Sequence, residues 1–220
     1  MSSNTFEVTL GLQMYLNTVP MRRSRPRPPA ESRPLFLAGH PALDFLNTRM
    51  RVNHELVDLL RRDEDVLRWL KDAGLPVGKM RPDTAPTSLV DAARTLRESI
   101  RSLVEKRKAG QRGDPSVLNR FLGQAQSHPR VVWRKPRSVT IERVRRRDTP
   151  AAILAPVAEA AAVLLATADF TLVRRCHDET CVLWFSDQTR SHHRRWCSAA
   201  LCGNRHKAAA YRKRRRAERG

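Results

Sequence analysis

The chain has 220 residues, of which 42 are Lys or Arg and 22 are Asp or Glu, so its formal net charge is 42 − 22 = +20. Because 40% of the residues are apolar, the chain can bury a hydrophobic core, which excludes wholesale disorder. No apolar run approaches about 18 residues, and the N-terminus lacks the order of a secretory signal. We therefore expect a cytoplasmic protein that has no membrane contact and binds a polyanion.

The N-terminal segment, residues 1–34, is predicted to be a disordered leader, because Arg and Pro alternate in MRRSRPRPPAESRP and leave no apolar face. Globular sequence begins with LFLAGHPALDFLNTRM, in which a Gly-His-Pro break precedes a short helix-like stretch. The next segment, HELVDLLRRDEDVLRWLKDAGL, spaces its apolar residues by three to four from Leu56 onward. This spacing predicts a helix that stops at Gly74, followed by a proline-rich loop over residues 76–86.

Capping residues mark two helix starts in the middle of the chain. Ser88, with Asp91 three residues later, resembles a capping box and predicts a helix that Gly110 closes. Asp114-Pro115 places proline at the first helical position and predicts a short helix over residues 117–126. The middle of the chain is therefore predicted to be helical.

The pattern then changes to β-structure and back to helix. VVWRK and SVTIERV flank Pro136-Arg137 and predict a β-hairpin. Thr149-Pro150 repeats the cap-plus-proline signal and opens a long Ala-rich helix to about Thr167, whose apolar faces predict a central buried element. We therefore expect a mainly α-helical domain with one small hairpin over residues 35–172.

All four cysteines lie in the C-terminal part, residues 173–220, at Cys176, Cys181, Cys197 and Cys202. This part is also the most basic, since residues 174–220 hold 13 Lys or Arg and four acids, 13 − 4 = +9. The spacing C-x4-C, fifteen residues, C-x4-C is typical of two metal-binding knuckles joined by a hairpin. A module this short has little apolar surface, so a bound metal would supply folding free energy.

Zinc suits four soft thiolates, and a complete set of four ligands indicates a structural ion with no open position. Two disulfides, an iron–sulfur cluster and a redox switch are the alternatives, and disulfides would require an oxidising compartment. His177, His192 or His193 could replace a cysteine, but the four cysteines already complete the shell. The sequence therefore predicts one structural Zn²⁺ in a small module made of a hairpin and a basic helix.

The segment from Cys176 to Cys202, followed by Gly203-Asn204-Arg205, resembles the CGNR-type zinc finger, which is named after its final Cys-Gly-Asn-Arg. Residues 35–172 resemble the ABATE domain that precedes this finger, through LAGHPALDFLNT, DLLRRDEDVLRWLKDAGL and RTLRESIRSLV. The resemblance implies that the four cysteines bind zinc. It also implies a bacterial-type transcription regulator that responds to stress.

The resemblance extends to the arginine-rich approach to the third cysteine, which carries over onto Arg190, Arg194 and Arg195. The family usually has Ser-Arg-Asn-Arg-Ser-Arg-Arg-Trp there, whereas this chain has His192-His193 within that loop. Because of this difference, contacts between this loop and DNA bases do not carry over from the family pattern, whereas the zinc ligands do.

The residues after the last cysteine favour a helix that binds DNA in the major groove. Gly203 is expected to let the backbone turn tightly around the metal, and Asn204 to cap the helix. The candidate nucleic-acid-binding residues are Arg190, Arg194, Arg195, Arg205, Lys207, Arg212 and Arg216. Arg205 has an alternative role as a hydrogen-bond partner of cysteine sulfur. Three aromatic residues are expected to form the small core of the module rather than to stack on bases: Trp184, Phe185 and Trp196.

The first domain offers one polar cluster and no catalytic constellation. His40, Asp44 and Asn47 could form a patch that binds an unknown small-molecule effector, although local capping and pairing by Asp44 is the favoured interpretation. The sequence shows no nucleophile–base pair, phosphate loop or dinucleotide-binding glycine pattern, so we do not expect an enzyme.

Taken together, these features predict a DNA-binding transcription regulator associated with the nucleoid. Its first domain would sense a signal or dimerise, although the sequence shows no dimer seam. The alternatives are association with RNA or the ribosome, and a redox-sensitive protein-interaction module, because charge alone does not distinguish these partners. An enzyme in the first domain is the least favoured class.

Overall fold

The computed structural model describes residues 35–52, 55–77, 88–145 and 148–218. The predicted leader over residues 1–34 and most of the predicted loop over residues 76–86 lie outside these ranges. Within them the helices α1 to α6 are Pro41–Leu46, Asp63–Asp72, Leu89–Lys108, Ser116–Leu122, Pro150–Thr167 and Asn204–Ala217. The strands β1 to β6 are Arg49–Val52, Glu55–Asp58, Ser127–Lys135, Ser138–Arg145, Val173–Arg175 and Trp184–Ser186.

Small sheets accompany the helices. Each strand pairs antiparallel with its neighbour in sequence, so that β1–β2, β3–β4 and β5–β6 form three two-stranded sheets. The predicted hairpin around Pro136-Arg137 is present as β3–β4. The pair β1–β2 was not predicted, and it adds a second hairpin to the first domain.

Helix α5 lies at the centre of the core, where α1, α3 and α4 contact it. Ile153, Leu154 and Val157 are each at most 1% exposed, which confirms the predicted central buried helix. By length and composition alone α5 could also cross a membrane, although Glu159 interrupts its apolar sequence. Because 61% of α5 is buried inside the fold, it is a core helix here.

The predicted helix from Leu56 onward is wrong in its first part, because residues 55–58 form strand β2. Leu56 pairs with Arg51 of β1 and is 44% exposed. The strand ends where Asp58 accepts hydrogen bonds from the Leu60 amide at 3.0 Å and from the buried Arg97 Nη1 at 2.8 Å. These bonds fix a bend after β2, so the helix starts only at Asp63.

Two of the predicted helix caps are confirmed, whereas Pro115 is the N-cap of α4 rather than its first helical residue. The Ser88 hydroxyl accepts a hydrogen bond from the Asp91 amide, and the Thr149 hydroxyl accepts one from the Ala152 amide, both at 3.2 Å. Each bond satisfies one of the unpaired amides at a helix N-terminus. Helix α4 ends earlier than predicted, because Gly123 caps it four residues before the strand β3 begins.

Candidate metal centre

The four cysteines meet between the β5–β6 hairpin and the start of α6. Cys176 directly follows β5, and its amide bonds the Leu183 carbonyl at 2.9 Å, which closes the first knuckle. Cys202 lies in a π-helical turn, Ala199–Gly203, that leads directly into α6. All four Sγ atoms lie within 4.8 Å of one another, and all four are free thiols.

The sulfur positions fit a tetrahedral zinc ion. A Zn–S bond of about 2.3 Å implies a sulfur–sulfur edge of about 3.8 Å. The Sγ atom of Cys197 lies 3.9 Å from that of Cys181 and 3.6 Å from that of Cys202. The Cys197 amide also donates to the Cys176 sulfur at 3.3 Å, as expected for a thiolate ligand.

The electrostatics of the four-cysteine cluster favour a bound cation. Contact with Cys176 raises the pKa of Cys197, because neighbouring sulfurs oppose one another's ionisation. A divalent ion removes this opposition by stabilising all four thiolates together. Three of the four cysteines are buried, and the complete ligand set leaves no position for water, so the zinc is structural.

Asp178, which was not predicted as a site residue, joins the first knuckle to helix α6. Its Oδ1 accepts hydrogen bonds from the Thr180 amide and hydroxyl at 2.9 and 2.6 Å. Its Oδ2 lies 3.4 Å from Arg205 Nη1 and 3.3 Å from His206 Nε2. Burial raises the pKa of Asp178, but the bonds from Thr180 and the nearby Arg205 hold it below its usual value.

Asp187 organises the loop before the third cysteine in the same way. Its Oδ1 accepts from the Thr189 amide and hydroxyl, and its Oδ2 accepts from the Arg194 amide at 2.8 Å. The Arg174 guanidinium lies 3.4 Å from the same carboxylate, which is 1% exposed. Both aspartates stand in an Asp-x-Thr pattern, in which the Asp carboxylate accepts hydrogen bonds from the Thr two residues later and forms a turn. This pattern is the sequence feature by which both residues could have been found.

Arg194, predicted to bind nucleic acid, points into the protein instead. Its guanidinium donates to the Leu37 carbonyl at 2.9 Å, to the Trp196 carbonyl at 3.0 Å and to the Cys197 carbonyl. It also lies 4.3 Å from the ring centroid of Phe185. These contacts give Arg194 a structural role at the metal centre, because its Nε and Nη2 donors bond backbone carbonyls of the fold.

The other predicted nucleic-acid-binding residues are exposed: Arg190, Arg195, Arg205, Lys207, Arg212 and Arg216. Arg205 contacts Asp178 and Thr180 rather than a cysteine sulfur, and its side chain is still 61% exposed. The Arg195 guanidinium lies 5.3 Å from the Trp196 ring. His192 has a left-handed backbone, with φ of 52°, in the loop where this chain differs from the family pattern.

Gly203 and Asn204 act differently from their predicted roles. Gly203 has helical backbone angles and does not form a tight turn. A Cβ atom on it would lie 3.3 Å from Trp196 Cδ1, so glycine permits close approach of this ring. Asn204 is the first residue of α6 and makes no side-chain cap, while His206 stacks on Trp196 with 4.1 Å between ring centroids.

The predicted aromatic core is present. Trp184 and Phe185 are buried, at 3% and 0% exposed, and strand β6 that carries them contacts helix α1. Trp196 is partly exposed and packs between His177 and His206. The core therefore extends from the metal centre to the first helix.

The polar cluster of the first domain makes hydrogen bonds within the chain. His40 Nδ1 accepts from the Ala42 amide at 3.2 Å and so caps α1, and burial lowers the pKa of His40 to about 4. Asp44 Oδ1 accepts from the Ala38 amide at 2.9 Å, and burial raises the pKa of Asp44 to about 7. Asn47 exchanges two hydrogen bonds with the backbone of Trp184.

The segment LAGHPALDFLNT is thus the surface on which the zinc module docks. The Ser186 amide donates to the Ala38 carbonyl at 2.7 Å, and Gln188 Nε2 donates to the Gly39 carbonyl at 2.9 Å. Together with the bonds of Arg194 and Asn47, these contacts attach the metal centre directly to α1 and the residues before it. The module is packed on the helical domain.

This arrangement defines a zinc-finger protein in which a helical domain carries a four-cysteine finger. Residues 39–168 match the family model of the ABATE domain, described as "Putative stress-induced transcription regulator", and residues 173–215 match that of the CGNR zinc finger. The chain therefore belongs to the ABATE family, and its C-terminal module is a CGNR zinc finger that binds one structural zinc. Both families are of regulator and zinc-finger types rather than enzymes. No curated protein matches the chain.

Proposed function

We propose that the protein is a transcription regulator that binds duplex DNA through the basic helix α6 of its zinc finger. The observation that carries this proposal is the exposure and charge of α6. Its 14 residues, Asn204–Ala217, include seven Lys or Arg and no Asp or Glu. Apart from His206, every α6 side chain that the structure describes is exposed.

The distribution of charge on α6 suits a groove flanked by phosphates. Helical spacing places Arg205, Arg212 and Arg216 on one side and Lys207 on the opposite side. A helix in the major groove has a phosphate backbone on both sides, and arginine can also donate to guanine edges on the groove floor. Like charges four residues apart, as at Arg212 and Arg216, destabilise a free helix, and bound phosphates would relieve this repulsion.

The metal centre would set the direction of this helix. Asp178 contacts Arg205 and His206 in the first turn of α6, and Trp196 stacks on His206. The remaining turns of α6 project from this anchored first turn. The arginines would therefore already be in place for DNA, and binding would not have to order the helix first.

We propose that the two predicted domains, residues 35–172 and 173–220, have different roles. The finger would bind DNA, and the ABATE domain would respond to a stress signal through its contacts with the finger. Ala38, Gly39 and Asn47 form hydrogen bonds with the finger. A conformational change in the helical domain would therefore alter the structure of the metal centre. The protein would act in the cytoplasm, at the nucleoid.

The test is a selection of nucleic acids by the zinc-loaded full chain. Fragmented genomic DNA and total RNA compete for the protein at near-physiological salt, and the retained fragments are sequenced. Enrichment of a limited set of DNA fragments is the expected result. Preferential retention of RNA, or no enrichment of either polymer, would overturn the proposal.

A charge-matched pair of variants separates site from net charge. R212A/R216A removes two arginines from α6, and R112A/R120A removes two exposed arginines from the ABATE domain. The first variant should lose most DNA binding, whereas the second should retain it. Equal losses would mean that overall charge, not α6, determines binding.

A further inference from the structure

The β3–β4 hairpin exposes four apolar side chains on one face. Val131 lies opposite Ile141, and Trp133 lies opposite Val139, so all four side chains share one face of the ribbon. Their exposed fractions are 62% for Val131, 74% for Ile141, 67% for Trp133 and 48% for Val139. Contiguous exposed apolar side chains of this kind mark an interaction surface.

The ion pairs of the hairpin that the structure describes lie away from these four side chains. On the opposite face, Arg130 and Arg134 both pair with Glu142. Lys135 and Arg137 are exposed at the end of the hairpin, where the chain turns. At its base, Arg145 bonds Glu159 of α5 at 2.7 Å, which fixes the hairpin to the core helix. The ion pairs that the structure describes in the hairpin therefore lie on its opposite face and at its base.

We propose that this face binds the same face of a second copy of the chain, so that the protein is a homodimer. A two-fold axis through the ribbon would bring each apolar face against an identical one, as isologous dimers require. Four side chains exposed to this extent offer on the order of 500 Å² per copy, which is at the upper end of patches on monomers. Two copies would bury about 1,000 Å², which meets the lower limit of a specific interface.

A second copy fits this face better than nucleic acid does. Strong phosphate binding needs several unpaired cations. Arg130 and Arg134 lie on the other face and share Glu142, and the register places Arg143, opposite Pro129, at the margin of the apolar residues. With Trp133 among its four side chains, the face has the aromatic anchor that is typical of protein interfaces.

Dimerisation would support the proposed DNA binding, but the dimer proposal does not depend on it. Two copies would present two α6 helices, and dimeric regulators read paired half-sites in this way. The dimer itself forms without DNA, so it is tested in the absence of nucleic acid, and a failure of either proposal leaves the other standing.

The test is sedimentation equilibrium of the zinc-loaded full chain freed of nucleic acid. The wild type should show a concentration-dependent dimer. I141E places a charge on the apolar face and should raise the dissociation constant by at least about 30-fold. T140E places the same charge on the neighbouring residue of the opposite face and should leave the dissociation constant nearly unchanged.

Bound zinc and far-UV circular dichroism establish that each variant is folded. W133A, which introduces no charge, provides a second variant and should also weaken the dimer. Raising the salt concentration should tighten or preserve the dimer, because screening reduces repulsion between two chains of charge +20. A monomer at all concentrations, equal effects of I141E and T140E, or association only with added nucleic acid would overturn the proposal.

Discussion

Asn47 and Trp184 are 137 residues apart in sequence and are joined by two reciprocal hydrogen bonds of 2.9 Å. The Asn47 side-chain amide donates to the Trp184 carbonyl and accepts from the Trp184 backbone amide. The side chain thus makes the pair of hydrogen bonds that a residue of an adjacent β-strand would make. Both residues are 3% exposed. This pairing connects the end of α1 to strand β6 of the zinc finger, and it makes the finger part of the same packed structure as the ABATE domain.

Loss of this pairing should destabilise the protein. N47A leaves the buried backbone groups of Trp184 without partners, which should lower the free energy of unfolding by about 3 kcal/mol. N119A, at an exposed position in α4, should change it by no more than about 0.5 kcal/mol. Urea unfolding of the zinc-loaded variants measures both values. Similar values for the two variants would show that the Asn47–Trp184 pairing contributes no stability.

Zinc removal should increase hydrogen exchange outside the finger as well as within it. Residues 37–39 bond Arg194, Ser186 and Gln188, so loss of the metal should release this segment together with β5 and β6. Hydrogen exchange followed by mass spectrometry, with and without a chelator, should show faster exchange in residues 37–47 and 173–203. Helices α3 and α5 should keep their protection. Exchange changes confined to the finger would contradict this coupling.

The buried Asp44 should make stability depend on pH. Its pKa is raised from 3.8 in the unfolded chain to about 7 in the fold, mainly by burial. Between these values the folded state holds a proton that the unfolded state has lost, so this group lowers the free energy of unfolding as pH rises from about 4 to about 7. The full effect is on the order of 4 kcal/mol.

D44N removes this titration and keeps an oxygen to accept from the Ala38 amide. The stability of the variant relative to wild type should therefore increase from pH 4 to pH 7. Taking the difference between the two proteins cancels the contributions of His40 and of the zinc ligands, which both share. A difference that is constant across this range would contradict the raised pKa of Asp44.

Two glycines with left-handed backbones provide a matched comparison. Gly39 has φ of 73° and Gly110 has φ of 68°, so alanine at either position pays about 1–2 kcal/mol of strain. A Cβ atom on Gly39 would also lie 3.1 Å from Gln188 Cδ, whereas nothing lies within 4 Å of one on Gly110. G39A should therefore be less stable than G110A by about 1 kcal/mol, through the disturbed bond of Gln188. Thermal or urea unfolding gives the comparison, and equal losses would show that this bond adds nothing.

Local chemistry explains which parts of the fold the sequence predicts. The caps at Ser88 and Thr149 and the cysteine spacing are short-range signals, and each appears in the structure. The strand β2 was mistaken for helix because Leu56, Leu59 and Leu60 happen to have helical spacing. Its true pairing depends on Arg51 of β1 and on Asp58, which bonds the distant Arg97.

The sequence predicts the four zinc ligands, but it does not predict which residues surround them. The inward orientation of Arg194 depends on the Leu37 carbonyl, 157 residues away in sequence, which no local pattern reveals. Likewise, Asn47 looks like a surface polar residue until Trp184 is placed beside it. The repeated Asp-x-Thr turns at Asp178 and Asp187 were visible in the sequence, and their significance becomes clear only when both carboxylates bond arginine.

The salt dependence of DNA binding tests the central claim most directly. The logarithm of the binding constant for a DNA fragment is measured against the logarithm of salt concentration for wild type, R212A/R216A and R112A/R120A. DNA binding through α6 predicts a steep slope for wild type, a slope reduced by about two in R212A/R216A, and an unchanged slope in R112A/R120A. A flat slope for wild type, or the same reduction in both variants, would contradict the role of α6.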